Sequence, residues 1–197
     1  MSRPEEGIGS GAETGPQGEA SSGPLVVLVG PPGVGKTTVG SLVASALGVE
    51  LRDTDHDVEQ RTGETVADLF VTRGEAAFRA LEKDAVATAL AEHRGVLTLG
   101  GGAVMDAGTR ALLRGRTVVF LDMALPDAMR RLGLNRSRPL LLGDSTTVRQ
   151  QWSMLLEQRR AWYEELATLR VDTTGRTPDE VAAEVTASVI ALQGGAS

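Results

Sequence analysis

The sequence predicts an α/β fold: a parallel sheet sandwiched between helices, in a single domain with a mobile lid. Three observations carry that expectation. Short apolar runs alternate along the chain with segments of helical periodicity, the pattern of a parallel sheet covered on both faces. The first apolar run leads through a glycine-rich loop straight into a helical segment. That loop, an aspartate-rich stretch and a run of three glycines all follow apolar runs, and ligands in such folds sit beyond the carboxyl ends of the strands.

The opening segment, MSRPEEGIGSGAETGPQGEASSG, holds almost no apolar side chain and carries four glutamates against one arginine. Burial cannot offset the ordering entropy of such a stretch. Residues 1–23 are therefore expected to form a disordered tail, with the folded domain over 24–193 and a C-terminal tail over 194–197. LVVLV, Leu25–Val29, suits a buried parallel strand. Lys36–Leu47 spaces Val39, Leu42, Val43, Ala46 and Leu47 as a helix does, and Gly48 marks its end. Val49–Asp53 is a weaker strand. Gly74–Arg94 reads as a long helix with Phe78, Leu81, Ala85 and Leu90 roughly along one side. Strands follow at Val96–Leu99 and Thr117–Asp122, separated by a helix over Met105–Arg114. A helix from about Val148 precedes a strand ending at Val171. Thr177-Pro178-Asp179-Glu180 is a capping box with proline at the first helical position, opening a last helix.

Composition narrows the function. The chain has 197 residues and no cysteine, which excludes disulfides, zinc–thiolate sites and thiol nucleophiles and is compatible with the cytoplasm. A formal net charge of -6 argues against a general nucleic-acid-binding face. No apolar run reaches the roughly 18 residues of a membrane span, and the first residues lack the apolar core of a signal peptide.

GPPGVGKT, Gly30–Thr37, matches G-x-x-x-x-G-K-[ST] and makes the expected fold one of P-loop NTPase type. Gly33, Val34, Gly35, Lys36, Thr37 and Thr38 form the expected cradle, its backbone N–H groups curling around phosphate oxygens at a positive helix N-terminus. Lys36 reaches the terminal phosphates and Thr37 ligates Mg²⁺. RDTDHD, Arg52–Asp57, then sets Asp53 and Asp55 at i and i+2, so that in an extended chain both look toward one cleft. Carboxylates beside Mg²⁺·ATP are tolerable because the metal inverts the local charge balance. One can hold the magnesium shell through water while the other accepts the proton of an attacking hydroxyl. The same spacing also suits a solvated acidic loop. Asp57 is expected to start the next helix, and His56 to be exposed.

The ordered motifs GPPGVGKTT, DTDHDVEQRTG, GEAAFRALE, LTLGGGAV, RSRPLL and QRRAWY resemble the shikimate kinase family, from about Leu25 to Ile190. The resemblance implies transfer of the γ-phosphoryl group of ATP to the 3-hydroxyl of shikimate, on the route to aromatic amino acids; the protein is expected to be a cytoplasmic monomer. It assigns Asp53 to Mg²⁺ and makes Asp55 both the holder of the substrate hydroxyls and the base.

Arginines supply a further clue. Arg159 falls on the stripe Val148, Trp152, Leu155, Tyr163, Leu166, where an aliphatic residue is expected. It either snorkels, meets a carboxylate or meets a ligand, whereas Arg160, one step round, reads as a solvated charge. Arg79 has Glu82 three residues on, which is either a surface ion pair or an acid orienting Arg79 toward a ligand. Gly100, Gly101 and Gly102 are either a flexible turn or a close approach for a ligand. The resemblance favours binding of the shikimate carboxylate by Arg79 and Arg159, with the glycines at the shikimate. The polar, arginine-rich stretch over about 134–147 suits a lid. In it the resemblance places Arg138 over the transferring phosphoryl group, and it puts Arg131 and Arg176 beside adenine. Trp162 stands where many relatives carry proline or a smaller residue. A gluconate-type kinase is the alternative; DTD, GGG and RSRPLL weigh against it.

Overall fold

In the computed structural model, which describes residues 23–133 and 145–195, the first apolar run forms strand β1, Val26–Val29, wholly buried. Val26 and Leu28 join one core cluster, Val27 and Val29 a second. That split follows from the two-residue period of an extended chain and requires apolar side chains at every position, as in a strand covered on both sides.

Four further strands follow: β2 (Leu51–Asp53), β3 (Val96–Thr98), β4 (Val118–Asp122) and β5 (Leu169–Asp172). All neighbours pair in parallel, in the order β2-β3-β1-β4-β5. The chain winds outward from β1 in one direction to reach β2 and in the other to reach β4 and β5. Such a reversal opens a crevice at the carboxyl end of the central strand, and the glycine loop leaves β1 there.

Helices α1 (Lys36–Leu47) and α8 (Pro178–Gly194) cover one face through Val39, Val43, Val181, Val185 and Val189. On the other face α4 (Gly74–Glu92), α5 (Ala107–Leu113) and α7 (Ser145–Leu166) contribute Val86, Leu90, Leu113, Tyr163 and Leu166. Helices α2 (Thr54–Thr62) and α3 (Val66–Thr72) pack on α4 around Val58, Leu69, Phe78 and Ala85. Helix α6 spans Leu125–Gly133. No described helix is long and apolar enough to cross a membrane.

Several expectations need correction. Helix α2 begins at Thr54 rather than near Asp57, because the Asp53 carboxylate caps it, accepting from the Asp55 N–H at 3.0 Å. The helix expected over Met105–Arg114 splits into a 3₁₀ turn, Ala103–Met105, and α5, since Asp106 caps α5 by accepting from Thr109 N–H at 2.8 Å. Ser145–Thr147, expected at the end of a lid, form the first turn of α7; residues 134–144 lie outside the described residues. Gly23, expected in the tail, is buried.

Candidate active site

The glycine loop runs from β1 into α1, and Gly35, the residue before that helix, has φ 99°, a conformation that side-chain-bearing residues rarely adopt. The Lys36 ammonium folds over the loop, donating to the Gly30 and Pro31 carbonyls at 2.9 and 3.2 Å. The Thr37 hydroxyl donates to Asp53 at 2.8 Å. A cleft of about 560 Å³ is lined by Gly33–Val39 of the loop and α1, by Asp53 and Asp55, by Gly101, and by Arg131 and Arg176. The sequence-assigned cradle and both aspartates therefore share one cavity. The two aspartates meet there for a different reason than extended-chain alternation. Asp53 ends β2 and caps α2, while Asp55 sits in the first helical turn.

Arg131 spans the cleft wall, donating to the Val34 carbonyl at 3.0 Å and to the Thr173 and Arg176 carbonyls at 3.2 and 3.4 Å. It ties the phosphate loop to the segment after β5. Arg176 is braced in turn by the Asp172 and Glu180 carbonyls and by Glu184. Trp152, buried on α7, donates its indole N–H to the Pro32 carbonyl at 3.0 Å. Sequence reading placed Trp152 on a stripe; only its need for an acceptor hinted at this role.

At the end of β3 the glycines leave room for charged side chains. A Cβ on Gly100 would lie 2.4 Å from the Glu82 carboxylate and 2.5 Å from that of Asp55; one on Gly102 would lie 2.1 Å from the Arg79 guanidinium. The triple glycine is thus a place where three charged side chains crowd the backbone. Gly101 lines the cleft of the glycine loop, and Gly102 lines an adjoining recess of about 570 Å³ with Arg79 and Glu82.

Arg79 and Glu82 are no surface pair: Glu82 is only 3 % exposed and accepts from Arg79 at 2.6 Å. Exposed Glu75 also meets Arg79, at 3.1 Å, and the guanidinium stacks over Phe78. Arg159 is equally buried, and its Nη1 donates to the Gly101 carbonyl at 3.0 Å. Burial and nearby Arg79 hold the Arg159 guanidinium below its usual range. Burial pushes the Glu82 carboxyl up against the pull of Arg79. Both residues keep one buried polar atom, Arg159 Nε and Glu82 Oε1, without a hydrogen-bond partner among the described residues.

Arg160 departs from the expected solvated charge. It forks onto Asp122 at 3.0 and 3.1 Å, and Arg170 reaches the same carboxylate at 2.7 Å. Asp122 is 4 % exposed at the end of β4, so a buried carboxylate selects these partners and fixes α7 against the sheet. Asp57 is not a bare surface acid either, for it accepts from Arg52 at 2.7 Å. His56 is exposed, as expected. Arg138, assigned to the phosphoryl group, and the rest of 134–144 lie outside the described residues.

A phosphate loop on a parallel sheet of this order, facing two acidic side chains and a ring of buried charge, defines a P-loop kinase fold. The family model for shikimate kinase matches residues 32–190. The shikimate kinase of Streptomyces coelicolor is 58 % identical over 160 residues, covering 81 % of this chain and 92 % of that one. That of Salinispora arenicola is 54 % identical over 168 residues, 85 % and 99 % of the two chains. Among solved structures, shikimate kinase from Acinetobacter baumannii in complex with shikimate superposes with a TM-score of 0.80 at 31 % identity, covering 87 % and 94 %. The chain belongs to the shikimate kinase family.

Proposed function

We propose that this protein transfers the γ-phosphoryl group of ATP to the 3-hydroxyl of shikimate, giving shikimate 3-phosphate and ADP on the way to chorismate. One observation carries the choice of acceptor. Half-buried Arg79 pairs with buried Glu82, and buried Arg159, bonded to the Gly101 carbonyl, adds a second positive charge near the same carboxylate beside the triple glycine. Glu75 is exposed, so water screens its charge. A small anion fits that imbalance, since a guanidinium fork matches a carboxylate in shape and charge. The unpartnered Arg159 Nε and Glu82 Oε1 supply a further donor for an acid and an acceptor for a hydroxyl. A buried polar atom left unsatisfied costs about 1–3 kcal/mol, a cost that ligand binding removes.

The chemistry on the other side follows from the loop. Lys36 and the N-terminal end of α1 bind the phosphates and orient them. The Thr37 hydroxyl and Asp53 carboxylate, already in contact, are hard oxygen donors that fit Mg²⁺. Thr37 and Asp53 would hold the ion together with the nucleotide's phosphates, Asp53 from the outer side of the pair. When bound, Mg²⁺ neutralises charge on the phosphates. Asp55, in the same cleft beside Gly100, takes the proton of the acceptor hydroxyl. Arg131 and Arg176, on the wall of the same cleft, are read as bordering adenine. The protein is read as a cytoplasmic monomer.

Steady-state kinetics of Arg159→Ala test the acceptor assignment. The KM for shikimate is expected to rise by about 10²-fold or more, as when a buried charged hydrogen bond is lost, with the KM for ATP and the fold kept. Equal effects on both substrates would make Arg159 a structural residue.

A further inference from the structure

We propose that Tyr163 is a positioning residue for the acceptor: its hydroxyl pins the Gly101 carbonyl and thereby sets how Arg159 presents its guanidinium. The inference rests on the shikimate reading above.

Tyr163 is fully buried on α7, its ring stacked on Phe120 of β4 with centroids 5.0 Å apart. Its hydroxyl donates to the Gly101 carbonyl at 2.6 Å, the carbonyl that also accepts from Arg159 Nη1 at 3.0 Å. Arg159 and Tyr163 lie four residues apart, one above the other on the same helical face. Two donors thus converge from one helix on one oxygen.

Three physical points turn this convergence into a positioning role. Gly101 stands between two glycines where a Cβ would press on Glu82, Asp55 and Arg79, and glycine leaves its peptides the freest to rotate. Gly100 is held by the Thr54 hydroxyl at 3.2 Å; Gly101 is held from α7. Second, a carbonyl oxygen has two lone pairs. With Tyr163 on one, Arg159 engages the other through Nη1 and also hydrogen-bonds the Tyr163 side chain, while its buried Nε keeps no partner among the described residues. Third, in a trans peptide the carbonyl and the next N–H point in opposite directions. Pinning the Gly101 carbonyl toward α7 therefore aims the Gly102 N–H away from it. Without the hydroxyl, the Gly101 peptide regains its rotation and the Arg159 fork loses its fixed direction.

Tyr163→Phe keeps the stacked ring and removes only the hydroxyl. The KM for shikimate is expected to rise about five- to tenfold, the worth of one buried hydrogen bond, while kcat and the KM for ATP stay within about twofold. The preference for shikimate over its methyl ester should narrow by a similar factor, because the ester does not depend on the Arg159 fork. Phe120→Leu, which loosens the packing but keeps the hydroxyl, should lower Tm without moving that preference. An unchanged shikimate KM in Tyr163→Phe, an equal rise for ATP, or the same narrowing in Phe120→Leu overturns the proposal and leaves Tyr163 a core residue. A wild-type enzyme that shikimate does not stimulate overturns the acceptor reading and this inference with it.

Discussion

The tasks proposed for Asp53 and Asp55 follow their different local structures. Asp53 spends one carboxylate oxygen on the α2 cap and the other on Thr37, which suits a residue that holds a metal shell. Asp55 lies in the first turn of α2, with its carboxylate close to Gly100. Asp55→Asn is expected to keep ATP binding and lose about 10²–10⁴ in turnover, as when a general base is removed; near-normal kcat in a stopped assay would rule that role out. The DTD spacing made both acids legible in the sequence, though through an extended-chain argument that the capped helix replaces. Arg160 shows the opposite. On helical spacing it looks solvated, and only the long-range arrival of β4 brings the buried Asp122 that it forks onto. A pattern along one helix carries no information about a partner 38 residues away.

Among the elements, those with strong local signals were readable and those without were not. Helix α8 was announced by its capping box, and both halves form: Glu180 N–H donates to the Thr177 hydroxyl at 3.3 Å and Thr177 N–H to the Glu180 carboxylate at 2.8 Å. Thr177→Ala should lower Tm by about 2–4 °C, from the roughly 1 kcal/mol worth of a cap, with kcat unchanged; a scanning-calorimetry shift near zero would mean that packing on α1 alone sets this end. Helix α2, TDHDVEQRT, buries only Thr54 and Val58, so it has no apolar stripe to betray it. It folds because Asp53 caps it and because α3 and α4 cover Val58. Helix α7 combines both cases. Its stripe was visible, but the three polar tips on that stripe, Trp152, Arg159 and Tyr163, reach the two ligand loops in ways only the tertiary fold reveals.

At the scale of the whole molecule, the strand order puts β1 between β3 and β4, so the phosphate loop and the triple glycine open on one side of the sheet. The alternation of strands and helices could be read from sequence, but the order could not, because nothing local says which strands pair. The consequence of that order is one face on which the cleft lined by the glycine loop and the recess lined by Arg79 and Glu82 adjoin at Gly101 and Gly102. The most direct test is ADP release from Mg²⁺·ATP with shikimate, gluconate, AMP or no acceptor. Stimulation by shikimate alone is the expected result. Stimulation by gluconate or AMP instead, or by no acceptor at all, would contradict the acceptor site built from Arg79, Glu82 and Arg159.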